Sequence, residues 1–312
     1  MNLFLAVTDN DWFRFLRSQG PLDEVNFWRP GGEAGFRALH PGEPLLFKLH
    51  SPQDFVVGGG FFTHFSRSMP VSRVWEAFGE RNGAATFDEM RRRIERYRRV
   101  PPAPHEDYRI GCILLAQPFF FDESEWIELP RDWSRNIVQG KTYATGAAEG
   151  ARLWEAVRLR LEAASIGARD EPAREVAEPV MFGEPYLVRP RLGQGSFRVL
   201  VTDTYGRRCA VTGEKALPVL DAAHIRAVRE GGQHRLDNGL LLRSDVHRLF
   251  DAGYVTVTPE GRFRVSRRLK DEFDNGEPYF PFDGQELWLP PEPRERPHRE
   301  FLEWHGDVVF RG

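Results

Sequence analysis

The sequence has few cysteines and no long hydrophobic run. Cys112 and Cys209 are the only cysteines among its 312 residues, which excludes a disulfide framework and a zinc site built from four cysteines. No run of ~18 apolar residues indicates a membrane span. The N-terminal stretch MNLFLAVTDNDWF also lacks the basic start and small-residue cleavage site of a secretory signal. We therefore expect a cytoplasmic protein that does not bind a membrane.

A strong overall charge is also missing, since the formal net charge is −3. The basic residues are nevertheless concentrated, with 16 Lys and Arg against 8 Asp and Glu between Arg189 and Lys270. The composition of 41% hydrophobic and 29% charged residues is typical of a globular protein, and the length favours two domains of ~150 residues each. A local basic excess of this kind favours contact with a polyanion such as nucleic acid.

The first half has the pattern of a β-rich domain. Short apolar runs (LFLAV, PLLFKL, FVVGGGFF, IGCILLA) alternate with turn signals such as PGE and NGA. A helical period follows at 147–168, and the charged stretch ARDEPAREVAEPV then indicates a linker. We therefore expect an α+β protein with a first domain at 1–145, a helix and linker at 146–180, and a second domain at 181–312.

The second half predicts a compact order of strand, loop and short helix. The helix assignment for 197–205 is weak because of its β-branched residues, and CAVTG resembles a strand that enters a turn at Gly213. VLDAAHI then reads as a short strand, followed by the loop GGQHRLDNG and the apolar run LLL. In SDVHRLFDAG, Ser244 is the expected N-cap and Gly253 the residue beyond the helix end. YVTVTPEGRFRVS predicts a hairpin.

Three polar residues of this segment have the chemistry that phosphodiester cleavage requires. His224 titrates near neutrality and can act as a general base toward water. His247, on the short helix, can offer a neutral imidazole to a divalent ion, and the amide of Asn238 can bond across the loop. Phosphate contacts are expected from nearby arginines. These are Arg226, Arg229, Arg243 and Arg248.

The stretches AAHI, DNGLLL and SDVHRLFD, preceded by RLGQGSFR and CAVTG, closely resemble the HNH nucleases and their ββα-metal motif. The resemblance covers roughly residues 185–305. It implies that His224 is the general base, Asn238 the loop-ordering residue and His247 a metal ligand. It also implies Mg²⁺, Mn²⁺ or another divalent cation as cofactor. The alternative is that the three are unrelated polar residues near a hairpin.

Two departures from the family pattern affect the expected metal site. Many members have an acidic residue or a histidine directly before the catalytic histidine, where this sequence has Ala223. We expect Asp221 to supply the missing ligand, with Asp251 as its competitor on the helix. The single cysteine of CAVTG excludes the structural zinc of members with paired CxxC motifs. His234, in the GGQH turn, is expected to be a solvated loop residue without a role.

The first half resembles the PUA-like superfamily, and within it the SRA-like and EVE-like readers of modified bases. The segments that carry the resemblance are EVNFWRP, GEPLLFKLHSPQDFVVGGGFF, WEAFGERNGA and DWSRNIVQGKTY. It implies a β-barrel with flanking helices that flips one base into a pocket. The candidate pocket residues are Trp28, Phe61, Trp75 and Trp133 for stacking, Asn26, Asp54 and Asn136 for the base edge, and Lys141 for the backbone. Packing of these aromatics in the barrel core is the alternative.

Together the two resemblances imply a type IV-like, modification-dependent restriction endonuclease for phage defence. It would flip modified cytosine (5-methyl- or 5-hydroxymethylcytosine) out of double-stranded DNA and hydrolyse nearby phosphodiesters at a metal-dependent HNH site. A homodimer is expected, because one HNH site cuts one strand. The alternatives are an HNH nuclease that is indifferent to modification and a non-catalytic reader with a degenerate HNH fold.

Overall fold

The computed structural model describes residues 1–32, 35–167 and 192–312. The chain divides into two compact units, Met1–Pro190 and Arg191–Gly312, and both helices and strands occur in each. The linker predicted at 168–180 and the first residues of the expected second domain, 181–191, lie outside the described residues. No helix in the described ranges combines the length and apolar character needed to cross a membrane.

The first unit is built on a seven-stranded sheet. Its strands are β1 (Asn2–Thr8), β2 (Glu24–Arg29), β3 (Pro44–Leu49), β4 (Phe55–Pro70), β5 (Arg109–Phe120), β6 (Ile127–Glu128) and β7 (Gly140–Ala144). Six of them follow the order β2-β5-β4-β3-β1-β7, and β6 pairs with β4. The pair β1 and β3 is parallel, whereas the other pairs are antiparallel.

The expected closed barrel is not found. In the described part of the first unit, the edge strands β2 and β7 share no backbone ladder. They approach through side chains, since Arg29 at the end of β2 donates from Nη2 to Gln139 Oε1 at 2.9 Å, directly before β7. The long strand β4 shifts register three times against β5, which bends the sheet. The sheet is therefore curved and open.

In the part of this unit that the structure describes, four α-helices accompany the sheet: α1 (Asn10–Ser18), α2 (Val71–Phe78), α3 (Phe87–Glu95) and α4 (Ala148–Gly167). Helix α4 lies where the 3.6-residue period predicts it. Its residues Leu153 and Val157 are fully buried in one cluster with Leu3 and Leu5 of β1. Burial of this apolar stripe against the sheet stabilises the helix, so α4 packs on the first unit.

Within its described residues, 192–312, the second unit contains two small antiparallel sheets and four α-helices. Its elements are α5 (Gln194–Thr204), β8 (Leu220–His224), β9 (Gly239–Arg243), α6 (Ser244–Asp251), β10 (Val255–Val257), β11 (Phe263–Val265), α7 (Arg268–Phe273) and α8 (Arg299–Trp304). Strand β8 pairs with β9 and β10 with β11. The β10–β11 hairpin is the one that the alternating pattern predicts. The core includes Phe197 of α5, Leu241 of β9 and Phe250 of α6.

Two local predictions for this unit are wrong. CAVTG is a turn and not a strand, because the Gly213 N–H donates to the Cys209 carbonyl oxygen at 3.1 Å. The Cys209 sulfur accepts from the Arg243 N–H at 3.3 Å, which holds the turn beside β9. Ser244 is the first helical residue and not the N-cap, since its hydroxyl donates to the Val219 carbonyl oxygen at 3.1 Å. Gly253 follows the helix end with φ +79°, as predicted.

Candidate active site

The candidate site is formed by β8, the loop 225–238, β9 and α6. In the β8–β9 register, His224 is opposite Gly239 and Asp221 is opposite Leu242. Because β9 begins directly after Asn238, the hairpin places Asn238 beside the end of β8. Helix α6 begins directly after β9, so His247 lies within one turn of the strand end. A short, continuous chain segment therefore brings the three predicted residues together.

The side chain of Asn238 ties the two ends of the loop together. It is fully buried, and its Oδ1 accepts from the Arg226 N–H at 2.9 Å. Its Nδ2 donates to the carbonyl oxygens of Arg226 at 2.9 Å and Gln233 at 3.0 Å. The Ile225 N–H also donates to the Asn238 carbonyl oxygen at 2.9 Å. These bonds hold the backbone just after His224, because buried amide groups need such partners.

Helix α5 forms the floor of the site. The ring of Phe197 is stacked on the imidazole of His224, with centroids 3.9 Å apart and planes at 10°. Gly239 permits this close packing, because a Cβ atom there would lie 2.6 Å from Val201 Cγ2 and 3.1 Å from the Phe197 ring. The glycine of the DNG sequence therefore serves the approach of α5 to the hairpin.

A second imidazole contacts His224 directly. The Nε2 atom of His224 lies 3.0 Å from Nδ1 of His234, within hydrogen-bonding distance. The expectation that His234 is only a solvated loop residue is wrong, since its ring is partly buried against the site. Its position in the sequence between His224 and Asn238 was a signal, but the contact also depends on the path of the loop.

The surroundings of His224 favour its neutral form. Burial lowers the pKa of His224 to about 4, and the positive charges of His234, His247 and Arg198 act in the same direction. The imidazole is therefore unprotonated at neutral pH and retains a lone pair on one nitrogen. This is the state that a general base requires.

His247 lies between the two aspartates that compete as its partner. Its Nδ1 is 3.5 Å from Asp221 Oδ2, and its Nε2 is 3.4 Å from Asp251 Oδ2. The Asp251 side chain is 61% exposed and that of Asp221 is 39% exposed. Because the two ring nitrogens point in different directions, an ion on one nitrogen would have one of the two carboxylates beside it.

The donor types around His247 fit a divalent cation, since carboxylate oxygen with one imidazole suits Mg²⁺ or Mn²⁺. Across the described ranges, no group of three or more His, Cys, Asp or Glu side chains is arranged to hold a metal ion. On each side of the His247 ring, the geometry thus provides two donors, which are a ring nitrogen and one carboxylate.

Two of the arginines predicted to contact phosphate are bound to other protein groups. Arg243 forms a double ion pair with Asp245, with both N–O distances at 2.7 Å. Arg226 donates from Nε to the Glu230 carbonyl oxygen at 2.7 Å, and its guanidinium lies 5.3 Å from the centre of the Trp304 ring. By contrast, the Arg229 side chain is 84% exposed.

In the first unit, Asn26 and Trp28 are buried against one residue. Asn26 donates from Nδ2 to Asn82 Oδ1 at 2.9 Å, and Trp28 donates from Nε1 to the Asn82 carbonyl oxygen at 3.1 Å. Asn26 is fully buried and Trp28 is 8% exposed. These bonds fasten β2 to the turn after α2.

The remaining pocket candidates have different neighbours. Phe61 lies near Phe119, Trp75 near Phe87, and Trp133 near the Lys48 ammonium group. Lys141 pairs with Asp132, Asp54 pairs with Lys48, and Asn136 is exposed. Within the described part of the first unit, no ring contact joins any two of Trp28, Phe61, Trp75 and Trp133. Each of these candidates therefore has its own packing neighbours.

The family comparison agrees with the geometry of the second unit. Residues 209–258 match the family model described as HNH endonuclease, and they contain β8, β9, α6 and both candidate histidines. No curated protein matches the chain. Among solved structures, the chain is similar to a modification-dependent TagI restriction endonuclease, with 14% identity, a TM-score of 0.28, and coverage of 98% of this chain and 81% of that chain. The family match therefore supports an HNH endonuclease domain at residues 209–258 of the second unit.

Proposed function

We propose that this protein is a modification-dependent DNA endonuclease. The observation that carries the proposal is the convergence of His224 and His247 within the matched HNH segment. His224 is stacked on Phe197, and His247 is close enough for its charge to lower the pKa of His224. A neutral imidazole beside a histidine–carboxylate pair is the arrangement that metal-assisted phosphodiester hydrolysis requires.

The residues have distinct roles in this reaction. His224 removes a proton from the attacking water, which its unprotonated state at neutral pH permits. Asn238 holds the loop and thus the position of His224. His247 and Asp221 would hold the divalent cation, with Asp251 as the competing carboxylate. When bound, such a cation neutralises charge on the scissile phosphate and the leaving oxygen. Arg226, Arg229, Arg243 and Arg248 line the strand, loop and helix that would face the DNA backbone.

The first unit selects the target by reading a flipped, modified cytosine in double-stranded DNA. Its PUA-like, SRA-like and EVE-like segments support this role, as does the need of a phosphate-gripping nuclease for a separate source of specificity. Unstacking a base costs a few kcal/mol, and stacking on an aromatic ring returns ~1 to 3 kcal/mol. Phe61, Trp75 and Trp133 are only partly buried and can supply such a ring, with Asp54, Asn136 and Lys141 as polar partners.

Two copies of the chain would cut both strands, since one site cuts one strand. We expect the enzyme to act in the cytoplasm of a bacterial cell, where it would attack modified phage DNA. The contact between copies and the reading of the base are parts of the proposal that DNA cleavage assays can address separately.

A cleavage assay on three matched duplexes tests the proposal. The duplexes carry cytosine, 5-methylcytosine or 5-hydroxymethylcytosine at the same positions, and each is incubated with the full chain and Mg²⁺ or with a chelator. We expect Mg²⁺-dependent cutting of a modified duplex and little cutting of the plain one. Equal cutting of all three would indicate a nuclease indifferent to modification. Binding of modified DNA without cutting would instead indicate a non-catalytic reader.

A further inference from the structure

The contact between His224 and His234 affects which nitrogen of His224 can act as the general base. We propose that His234 is a positioning residue that fixes the tautomer of His224, so that Nε2 carries the proton and Nδ1 keeps the lone pair. The inference rests on the proposed endonuclease function, in which His224 takes a proton from water. It assigns a role to a residue that the HNH pattern of His224, Asn238 and His247 does not include.

A hydrogen bond between two imidazoles requires one nitrogen to donate and the other to accept. If His234 Nδ1 donated, His224 Nε2 would accept, and the proton of His224 would then lie on Nδ1. Neither nitrogen of His224 would be left with a lone pair for water. If His234 Nδ1 accepts, His224 Nε2 donates across the 3.0 Å contact, and Nδ1 is available as the base. In the described part of the chain, the structure shows no other hydrogen bond to the His224 ring.

The loop holds His234 in the place that this role requires. Asn238 Nδ2 donates to the Gln233 carbonyl oxygen at 3.0 Å, directly before His234 in the chain. Gly231 begins this part of the loop with φ +82°, a conformation that favours glycine. The Phe197 ring, which supports His224, also lies 5.8 Å from the His234 ring. Asn238 thus positions both ends of the imidazole pair.

The test compares His234→Ala with His234→Asn in the full chain. The asparagine amide can place Oδ1 where Nδ1 stood and accept the same hydrogen bond, but it cannot titrate. We expect kcat to fall about 10- to 100-fold in His234→Ala, which is the usual loss when the partner that orients a functional histidine is removed, with KM for DNA unchanged. In His234→Asn, kcat should return to within a few-fold of the parent value.

A spectroscopic measurement separates this inference from the proposed function. The protein is labelled with ¹⁵N-histidine, and the His224 signals are assigned by their loss in His224→Ala. In the parent and in His234→Asn at neutral pH, we expect a protonated Nε2 and an unprotonated Nδ1. In His234→Ala we expect a mixture of both tautomers.

An unchanged His224 tautomer in His234→Ala would overturn the inference, as would a His234→Asn variant that is folded yet as slow as His234→Ala. The tautomer readout does not depend on activity. A parent protein that fails to cut any of the three duplexes would therefore contradict the proposed function alone.

Discussion

The candidate residues of the two units are arranged in opposite ways. In the second unit, His224, Asn238 and His247 converge on one hairpin and the helix that follows it. In the first unit, the aromatic candidates have separate neighbours, with Trp28 at Asn82 and Trp133 at Lys48. The second site is assembled by a short chain segment, whereas the first set of residues depends on how a whole sheet packs.

Two buried asparagines show the same difference in detail. Asn238 and Asn26 are both fully buried. The amide of Asn238 is satisfied by three hydrogen bonds to the backbone of one loop. Asn26 donates to Asn82, and among the described residues its Oδ1 has no hydrogen-bond partner. Asn238 therefore organises a loop around a reactive group, while Asn26 joins β2 to a neighbouring turn.

Substitution of His224 should give the largest effect on the second unit. Loss of a general base lowers the rate of proton transfer by about 10²- to 10⁴-fold, so we expect His224→Ala to reduce kcat by that amount while DNA binding remains within a few-fold. Strand cleavage under single-turnover conditions measures the rate. The matched control is His298→Ala, at an exposed histidine of the same unit, which should cut at the parent rate. Parent-like cutting by His224→Ala would remove His224 from the reaction.

Asn238→Ala should come next, because it leaves three backbone groups without their partner. Each unsatisfied buried group costs ~1 to 3 kcal/mol. Because the loop can relax and satisfy part of these groups, we expect a total loss of about 3 kcal/mol in the free energy of unfolding. Urea unfolding of the full chain, monitored at the transition of the second unit, measures this loss. Asn26→Ala is the control in the first unit and should cost less, since it removes one hydrogen bond. Equal losses would contradict the contrast between the two asparagines.

The competition between Asp221 and Asp251 can be resolved by metal dependence. We expect Asp221→Asn to raise the Mg²⁺ concentration for half-maximal cutting more than tenfold, because a neutral amide is a much weaker ligand than a carboxylate. Asp251→Asn should raise it only a few-fold, since the Asp251 side chain is the more exposed of the two. A titration of cutting rate against Mg²⁺ compares both variants with the parent. The reverse order would assign the ligand role to Asp251.

The second unit could be predicted well from the sequence because its signals are local. Strand β8, the helix α6 and the β10–β11 hairpin follow from strand-forming residues, turn residues and a glycine beyond the helix end. These elements also give the positions of His224 on the strand, Asn238 in the loop and His247 on the helix. The contact between His224 and His234 could not be predicted in the same way, since it depends on the path of the loop that Asn238 holds.

The wrong predictions share a physical cause, which is that tertiary partners replaced local ones. The hydroxyl of Ser244 bonds to Val219 from a neighbouring chain segment, so it does not cap its own helix. The CAVTG stretch bends because Cys209 contacts β9. The open sheet of the first unit depends on whether the distant edges β2 and β7 meet, and no local pattern of strands or turns contains that information.

The substitution with the smallest expected effect tests whether Trp28 of the first unit has only a structural role. Trp28→Phe keeps an aromatic ring but loses the hydrogen bond from Nε1 to the Asn82 carbonyl oxygen at 3.1 Å. We expect a loss of about 1 kcal/mol in the free energy of unfolding and an unchanged preference for modified over plain DNA. Trp133→Phe is the matched control, because the described structure shows no hydrogen bond from its indole N–H. Trp133→Phe should therefore lose less free energy of unfolding than Trp28→Phe. A loss of preference in Trp28→Phe would mean that the indole of Trp28 itself contacts the base, and equal stability losses would mean that its bond to Asn82 contributes nothing.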